Sequence, residues 1–263
     1  MVHIKSVADL NKIAVEVPEK AKLLADVFWP GPLTLVLKKQ STIPDLITAG
    51  KNTVAVRVPN HPVTLALLEQ LDFPLAAPSA NPFGSISPTK AEHVANYFAT
   101  SSLTVLEGGE CRSGIESTII GFEDESAVLY RLGSITIEEI EAVIGSLKIK
   151  IHKGEAPLAP GMLSKHYAPK TATVLTETIS QSLVLFETKR IGLLTYQDRF
   201  EHKNIVAQHV LSPSGDLTEA AAQLYNALHK LDQLELDVII AERFPDHGLG
   251  RTINDRLERA TKK

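Results

Sequence analysis

Apolar and polar positions alternate in blocks along this chain, with period 2 in short runs and helical spacing in longer ones. LTLVLK (33–38) and TVAVRVP (53–59) are β-branched, apolar and bounded by Gly or Pro, which predicts strands. PEKAKLLADVF (18–28) and HPVTLALLEQL (61–71) carry apolar residues at helical spacing and predict helices. FPLAAP (73–78) predicts a short buried strand, and PTKAEHVANYF (88–98) a helix with Ser87 as N-cap and Pro88 in its first turn. LTVLEGG (103–109), ESTIIGF (116–122) and AVLYRLG (127–133) predict strands. TIEEIEAVI (136–144) opens with Thr136 and has Glu139 three residues on, the pattern of a capping box.

The periodicity stops at 152–170, where prolines and glycines mark a linker, and then restarts. Strands are expected at ATVLT, RIGLLTY (190–196), NIVAQHVL (204–211) and DVIIAER (237–243). Helices are expected near 177–187, from Asp216 to about 231, and from about 251. Strands alternating with helices imply a small parallel, Rossmann-like sheet. The expected fold class is α/β: a mixed α/β domain at 1–150, a linker at 151–171 and a parallel α/β domain at 172–263.

Composition narrows the classes of function. With 27 Lys+Arg against 31 Asp+Glu, the net charge is −4, a poor footprint for non-specific nucleic-acid or membrane binding. The single cysteine, Cys111, forms no internal disulfide and lacks an adjacent activating pattern, so it reads as a bystander thiol. No apolar run reaches the roughly 20 residues of a membrane helix, and MVHIKSVADL lacks a signal-peptide core. The expected location is cytoplasmic. The histidines show no metal-ligand spacing, and neither a GxGxxG nor a P-loop motif is present.

Three stretches can carry chemistry. AAPSANPFGSISPTKAEHV (76–94) places Ser79, Asn81, Ser85, Ser87 and Thr89 around Gly84 and ahead of a helix, as an anion site would. Taken alone, the same residues read more plainly as a turn and a capped helix. Arg57 sits within an apolar strand and needs a partner, either an internal carboxylate or a bound carboxylate or phosphate. GGECRSGIESTII sets Ser113, Gly114, Glu116, Ser117 and Thr118 at the mouth of a strand, and Arg131 ends another. A Gly-rich hairpin and a surface arginine are the plainer readings of these two.

In this order, WPGPLTLVLKK, TVAVRVPNHP, the serine-rich stretch, GIESTII and LYRLG resemble the YrdC-type domain of the threonylcarbamoyl-adenylate synthase family. APGMLSKHYAPK and GLGRTINDRLERA resemble the linker and tail of its two-domain members, so the resemblance covers nearly the whole chain. It implies a nucleotidyltransferase that makes threonylcarbamoyl-AMP and pyrophosphate from L-threonine, bicarbonate (as CO2) and ATP. Mg²⁺ would accompany the ATP, and the product would pass to the tRNA threonylcarbamoyl-transfer machinery. By motif, the resemblance puts Thr53, Ser79, Asn81, Ser87, Arg131 and Tyr167 at ATP. It puts His3, Arg57, the Ala77 backbone and Ser117 at threonine. Tyr167, with His166 as the alternative contact, would fold the linker over ATP as a lid.

The chain departs from the family pattern at its start. Several dozen residues with a Lys-x-Arg motif usually precede VHI, and here the chain begins at MVHI. The expectations are a mis-assigned start, an inactive truncation or a second chain supplying that half, with the first preferred. The competing function is a non-catalytic nucleotide- or RNA-binding module, with weak RNA binding, on the same fold. A third, the carbamoyl-transfer domain of hydrogenase maturation, fits the linker and tail less well.

Overall fold

The computed structural model describes residues 1–124, 126–151 and 166–262; positions 152–165 of the predicted linker lie outside the described residues. In chain order the elements are β1 (Val2–His3), α1 (Leu10–Ile13), α2 (Glu19–Phe28), β2 (Leu33–Lys38), α3 (Asp45–Thr48) and β3 (Thr53–Arg57). Next come α4 (Pro62–Glu69), β4 (Leu75–Ala76), α5 (Ala91–Tyr97), β5 (Thr118–Glu123), β6 (Ser126–Arg131), α6 (Ile137–Ile144) and β7 (Lys148–Ile149). The last are β8 (Thr173–Thr176), α7 (Ile179–Leu185), β9 (Ile191–Thr195), β10 (Ile205–Val210), α8 (Leu217–Asp232), β11 (Val238–Glu242) and α9 (Leu249–Ala260).

The chain divides into two compact units. One combines Met1–Pro78 with the segment from Glu116, and the other combines Ser79–Ile115 with the C-terminal segment.

The first unit holds a seven-stranded sheet in the order β4-β1-β3-β2-β5-β6-β7. Pairing is mixed, as expected: β1 and β3 are parallel, β2 and β3 antiparallel, β2 and β5 parallel, β5 and β6 antiparallel. Leu33, Leu35, Leu37, Val54 and Val56 point to one face, where they pack with Leu24 and Ala25 of α2 and Ile140 and Ile144 of α6. At roughly 25 cal/mol per Å² of apolar surface removed from water, this face is the main stabilising element of the unit. The α6 capping box forms as predicted. The Thr136 side chain accepts from the Glu139 N–H at 3.2 Å, and the Glu139 carboxylate accepts from the Thr136 N–H at 2.7 Å.

The second unit holds four parallel strands in the order β10-β9-β11-β8, the small parallel sheet that the alternating pattern predicts. Helix α8 starts where Asp216 accepts from the Thr218 N–H at 2.7 Å, and it buries Leu224, Tyr225, Leu228 and Leu231.

Some local expectations are corrected. The 103–109 run is no strand: it joins no ladder, and Leu103, Val105 and Leu106 are exposed. Apolar alternation without a neighbouring strand gives no ladder to pair with. The 73–78 strand shortens to β4, an exposed edge rather than a buried strand, because it pairs with β1 alone. The helix expected from Pro88 starts at Ala91, with Lys90 and not Ser87 as its N-cap. Lys90 is extended at φ −139° and ψ 155°, so residues 87–89 stay outside the helix, and the Thr89 N–H turns to the His93 ring at 3.1 Å. The elements β1, α1, α3 and β7 are two to four residues long, too short to show a period.

Gly114 has a φ of +66°, and a Cβ there would lie 2.4 Å from the Ala222 backbone of α8. Residues around 114 thus dock on α8 at a separation only glycine allows. Gly114→Ala should cost about 2–4 kcal/mol, combining left-handed strain with overpacking. A shift in the urea midpoint followed by circular dichroism measures it.

Candidate active site

The sheet face opposite α2 and α6 carries a group of polar residues beside the apolar cluster of Val36, Ile119, Val128 and Tyr130. Strand order brings β1, β3, β2, β5 and β6 side by side. His3 and Arg57 face each other in register across β1 and β3. Thr34 precedes Leu35, which pairs with Val56, so it lies next to Arg57 across β2 and β3. The Thr34 hydroxyl is buried and sits 2.7 Å from the Ser117 hydroxyl.

Arg131 reaches this face through an irregularity. In the β5–β6 ladder Ile119 pairs with Arg131 but Ile120 pairs with Leu129, so Tyr130 is the extra residue. Such a bulge re-aims the side chain that follows it. The buried Arg131 guanidinium donates to the Ser117 carbonyl at 2.8 and 3.1 Å and to the Ser117 hydroxyl at 3.0 Å. Gly133 completes the arrangement, since a Cβ there would lie 2.2 Å from the Thr118 nitrogen. The chain after Arg131 can pass this close to 117–118 only without a side chain.

Arg57 is half-buried and its Nε donates to the Gly31 carbonyl at 2.8 Å. Burial first, and then the Arg57 charge, hold the His3 imidazole down at about 4, so the ring is neutral near pH 7. The Ala77 N–H donates to the Met1 carbonyl at 3.0 Å, beside the β1–β4 pairing.

Thr53 does not join this group. It shares the Arg57 face of β3 but sits at the strand's other end, roughly 13 Å away at ~3.3 Å per residue. It borders a shallow cleft of about 520 Å³ with Val36, Lys51, Asn52, Phe122 and Tyr130.

Ser79, Asn81, Ser87 and Tyr167 fall in the second unit. The Asn81 amide donates to the Pro82 and Ser85 carbonyls at 3.1 and 3.2 Å and so closes the serine loop on itself. Its Oδ1 is buried without a hydrogen-bond partner. Ser79 is exposed and Ser87 buried. A bridge between Ser85 and Ala168 ties the loop to the segment carrying Tyr167, and the Ala168 N–H donates to the Gly84 carbonyl at 2.8 Å. Tyr167 is buried in this unit's core, stacked 5.6 Å from Tyr225 and 4.9 Å below the Arg256 guanidinium. His166 meets the Tyr167 ring edge at 4.1 Å.

Two sets of residues escaped sequence reading. Thr34 is a polar residue inside LTLVLK, a detectable signal on a strand otherwise apolar up to Lys38. His93 and His229 are 136 residues apart, and nothing local predicts that their rings stack at 3.8 Å. Among the described residues no group of three or more His, Cys, Asp or Glu could hold a metal ion. No helix among them is long and apolar enough to cross a membrane.

A mixed sheet with arginine and hydroxyl groups on one face, followed by a parallel α/β sheet in the second unit, defines a two-unit α/β protein with a basic, hydroxyl-lined sheet face. Comparison with known proteins agrees. Residues 1–133 match a family model described as "Telomere recombination", and residues 135–261 match "Threonylcarbamoyl-AMP synthase, C-terminal domain". The chain is 39% identical to the threonylcarbamoyl-AMP synthase of Pyrococcus abyssi, over 99% of this chain and 79% of the relative. It is 40% identical to that of Bacillus subtilis, over 99% and 78%. The crystal structure of P. abyssi Sua5 complexed with L-threonine superposes with a TM-score of 0.90 at 38% identity, over 99% of this chain and 79% of that one. The chain belongs to the threonylcarbamoyl-AMP synthase family.

The histidine environments give a pH prediction. His3 and His93 are both held at about 4, and His229 and His209 are lowered, in each case chiefly by burial. Below about 6.5 the unfolded chain takes up protons that these folded rings refuse, so stability falls as pH drops towards 4. Thermal melts should show Tm falling by several degrees from pH 7 to 4.5, and His93→Asn should make the fall shallower.

Proposed function

We infer that the chain catalyses the formation of threonylcarbamoyl-AMP and pyrophosphate from L-threonine, CO2 supplied as bicarbonate, and ATP. The observation that carries this reading is the convergence of His3, Thr34, Arg57, Ser117 and Arg131 from five strands on one sheet face. A relative 38% identical has been crystallised with L-threonine.

In this reading Arg57 holds the threonine carboxylate through its planar fork. Neutral His3 adds a hydrogen-bonding group without a second positive charge. The Ser117 hydroxyl, held in place by Thr34 and Arg131, and the Ala77 backbone orient the substrate. The threonine amine adds to CO2 and loses a proton, giving a carbamate. A carbamate oxygen then forms a bond to the α-phosphorus of ATP as the α–β bridging bond breaks, and pyrophosphate leaves. Such a displacement needs alignment and charge neutralisation rather than a covalent nucleophile.

Thr53, Ser79, Asn81, Ser87, Arg131 and Tyr167 are assigned to ATP on motif grounds, and the proposal keeps 1–150 as catalytic domain, 151–171 as lid and 172–263 as C-terminal domain. Mg²⁺ entering with ATP supplies charge neutralisation when bound. The buried, partnerless Asn81 Oδ1 is an oxygen suited to such a hard cation. A cytoplasmic location and transfer of the product to the tRNA-modifying machinery belong to the same proposal.

The test is pyrophosphate release from ATP, dependent on threonine and bicarbonate. It is run on the chain with any in-frame upstream residues its gene encodes. Arg57→Ala should lower kcat/KM for threonine by roughly 100-fold, the loss of a charge-assisted pair worth about 3 kcal/mol. Ser79→Ala should lower ATP turnover about 10-fold, for one hydrogen bond of about 1.4 kcal/mol. Folded protein without threonine-dependent release, or wild-type rates in both variants, overturns the assignment.

A further inference from the structure

Three rings hold the backbone of the serine loop over four consecutive residues. The Tyr97 hydroxyl donates to the Ile86 carbonyl at 3.0 Å. His229 Nε2 lies 3.1 Å from the Ser87 carbonyl, and His93 Nδ1 lies 3.1 Å from the Thr89 nitrogen. Both tautomers follow. A carbonyl only accepts, so His229 carries its proton on Nε2. A backbone N–H only donates, so neutral His93 has a bare Nδ1 and its proton on Nε2.

The three rings also hold one another. His93 and His229 stack at 3.8 Å and 24°, and Tyr97 meets the His229 edge at 5.6 Å. Both imidazoles are buried. The charged groups acting on them are Lys90 and Glu110 at His93, themselves paired at 2.6 Å, and Asp232 at His229. Of the three rings, Tyr97 and His93 belong to α5, immediately after the loop. His229 belongs to the last turn of α8, in the C-terminal segment.

We propose that His229 is a positioning residue for ATP: through the Ser87 carbonyl and the stack on His93, the C-terminal segment sets the conformation of the loop whose hydroxyls hold the nucleotide. This rests on the reading that residues 79–89 bind ATP. It gives the C-terminal segment a task in the reaction without touching substrate. Removing the Nε2 donor takes a hydrogen bond from the buried Ser87 carbonyl and loosens Ser87, so the effect falls on ATP and not on threonine.

The experiment compares His229→Leu, His229→Gln and His229→Asn with the wild-type chain. KM is measured for ATP and for threonine, and ATP binding by calorimetry. A Gln amide nitrogen reaches the Nε2 position, whereas the shorter Asn places its amide near Nδ1. The expected result is an ATP KM raised about 10-fold in Leu and Asn, recovery to within about 3-fold in Gln, and a threonine KM unchanged within about 2-fold. Hydrogen exchange of a peptide spanning 86–90 should quicken in Leu and Asn. Should Leu fail to fold, the Gln–Asn contrast decides alone. Equal ATP constants in Gln and Asn, or parallel rises for both substrates, overturn the proposal. If the wild-type chain turns over threonine and Ser79→Ala weakens neither the KM for ATP nor ATP binding, the loop assignment beneath the proposal is overturned. Absence of threonine-dependent turnover overturns the function itself.

Discussion

A guanidinium placed inside a sheet must be answered by oxygen atoms, and in this protein Ser117 answers Arg131 with both its carbonyl and its hydroxyl. Leaving such a charge unpaired costs several kcal/mol, so the end of β6 and the start of β5 are held in one arrangement. The bulge at Tyr130 makes the pairing sterically accessible, and Gly133 lets the chain leave without collision. From that point outward the polar face assembles: Ser117 orients Thr34, Thr34 lies beside Arg57, and burial, with the Arg57 charge second, keeps His3 neutral. The polar side chains of this face are thus set by hydrogen bonds among Thr34, Ser117 and Arg131 and by the strand register that places Arg57 and His3 beside them, with the opposite face supplying the hydrophobic stability.

The second unit uses a different device. Its serine loop has little regular structure, and its backbone groups would be costly to bury unpaired. Aromatic side chains of α5 and α8 satisfy them, and the Ser85–Ala168 bridge adds a short strand-like contact. Gly114 lets the same segment approach α8 closely. The loop's backbone is held both by these rings and by the Asn81 amide, which donates to the Pro82 and Ser85 carbonyls.

Much of the local structure was legible along the chain. The α6 capping box, the start of the long helix at Asp216 and the four parallel strands follow from the pattern of residues along the chain. The site residues were legible only through family motifs, because Ser, Asn and Gly in a loop read equally as a turn. The failures have two causes. The 103–109 run has strand composition but finds no partner strand, a neighbour that a local window does not contain. The helix after Ser87 starts late because Lys90 stays extended, and the Thr89 N–H turns to the His93 ring four residues on.

The sequence by itself determined which segments could be helix or strand, since amphipathic period and caps are properties of residues within one or two turns. It also determined the stock of chemistry: arginines within or ending apolar strands, hydroxyls around Gly84, and no metal-ligand spacing. Only the tertiary structure decided which of these meet. Thr34 and Ser117 are 83 residues apart, and Ser87 and His229 are 142 apart. Their contacts arise from strand order and helix docking, which minimise exposed apolar area and unpaired polar groups over the whole chain rather than within any stretch of it.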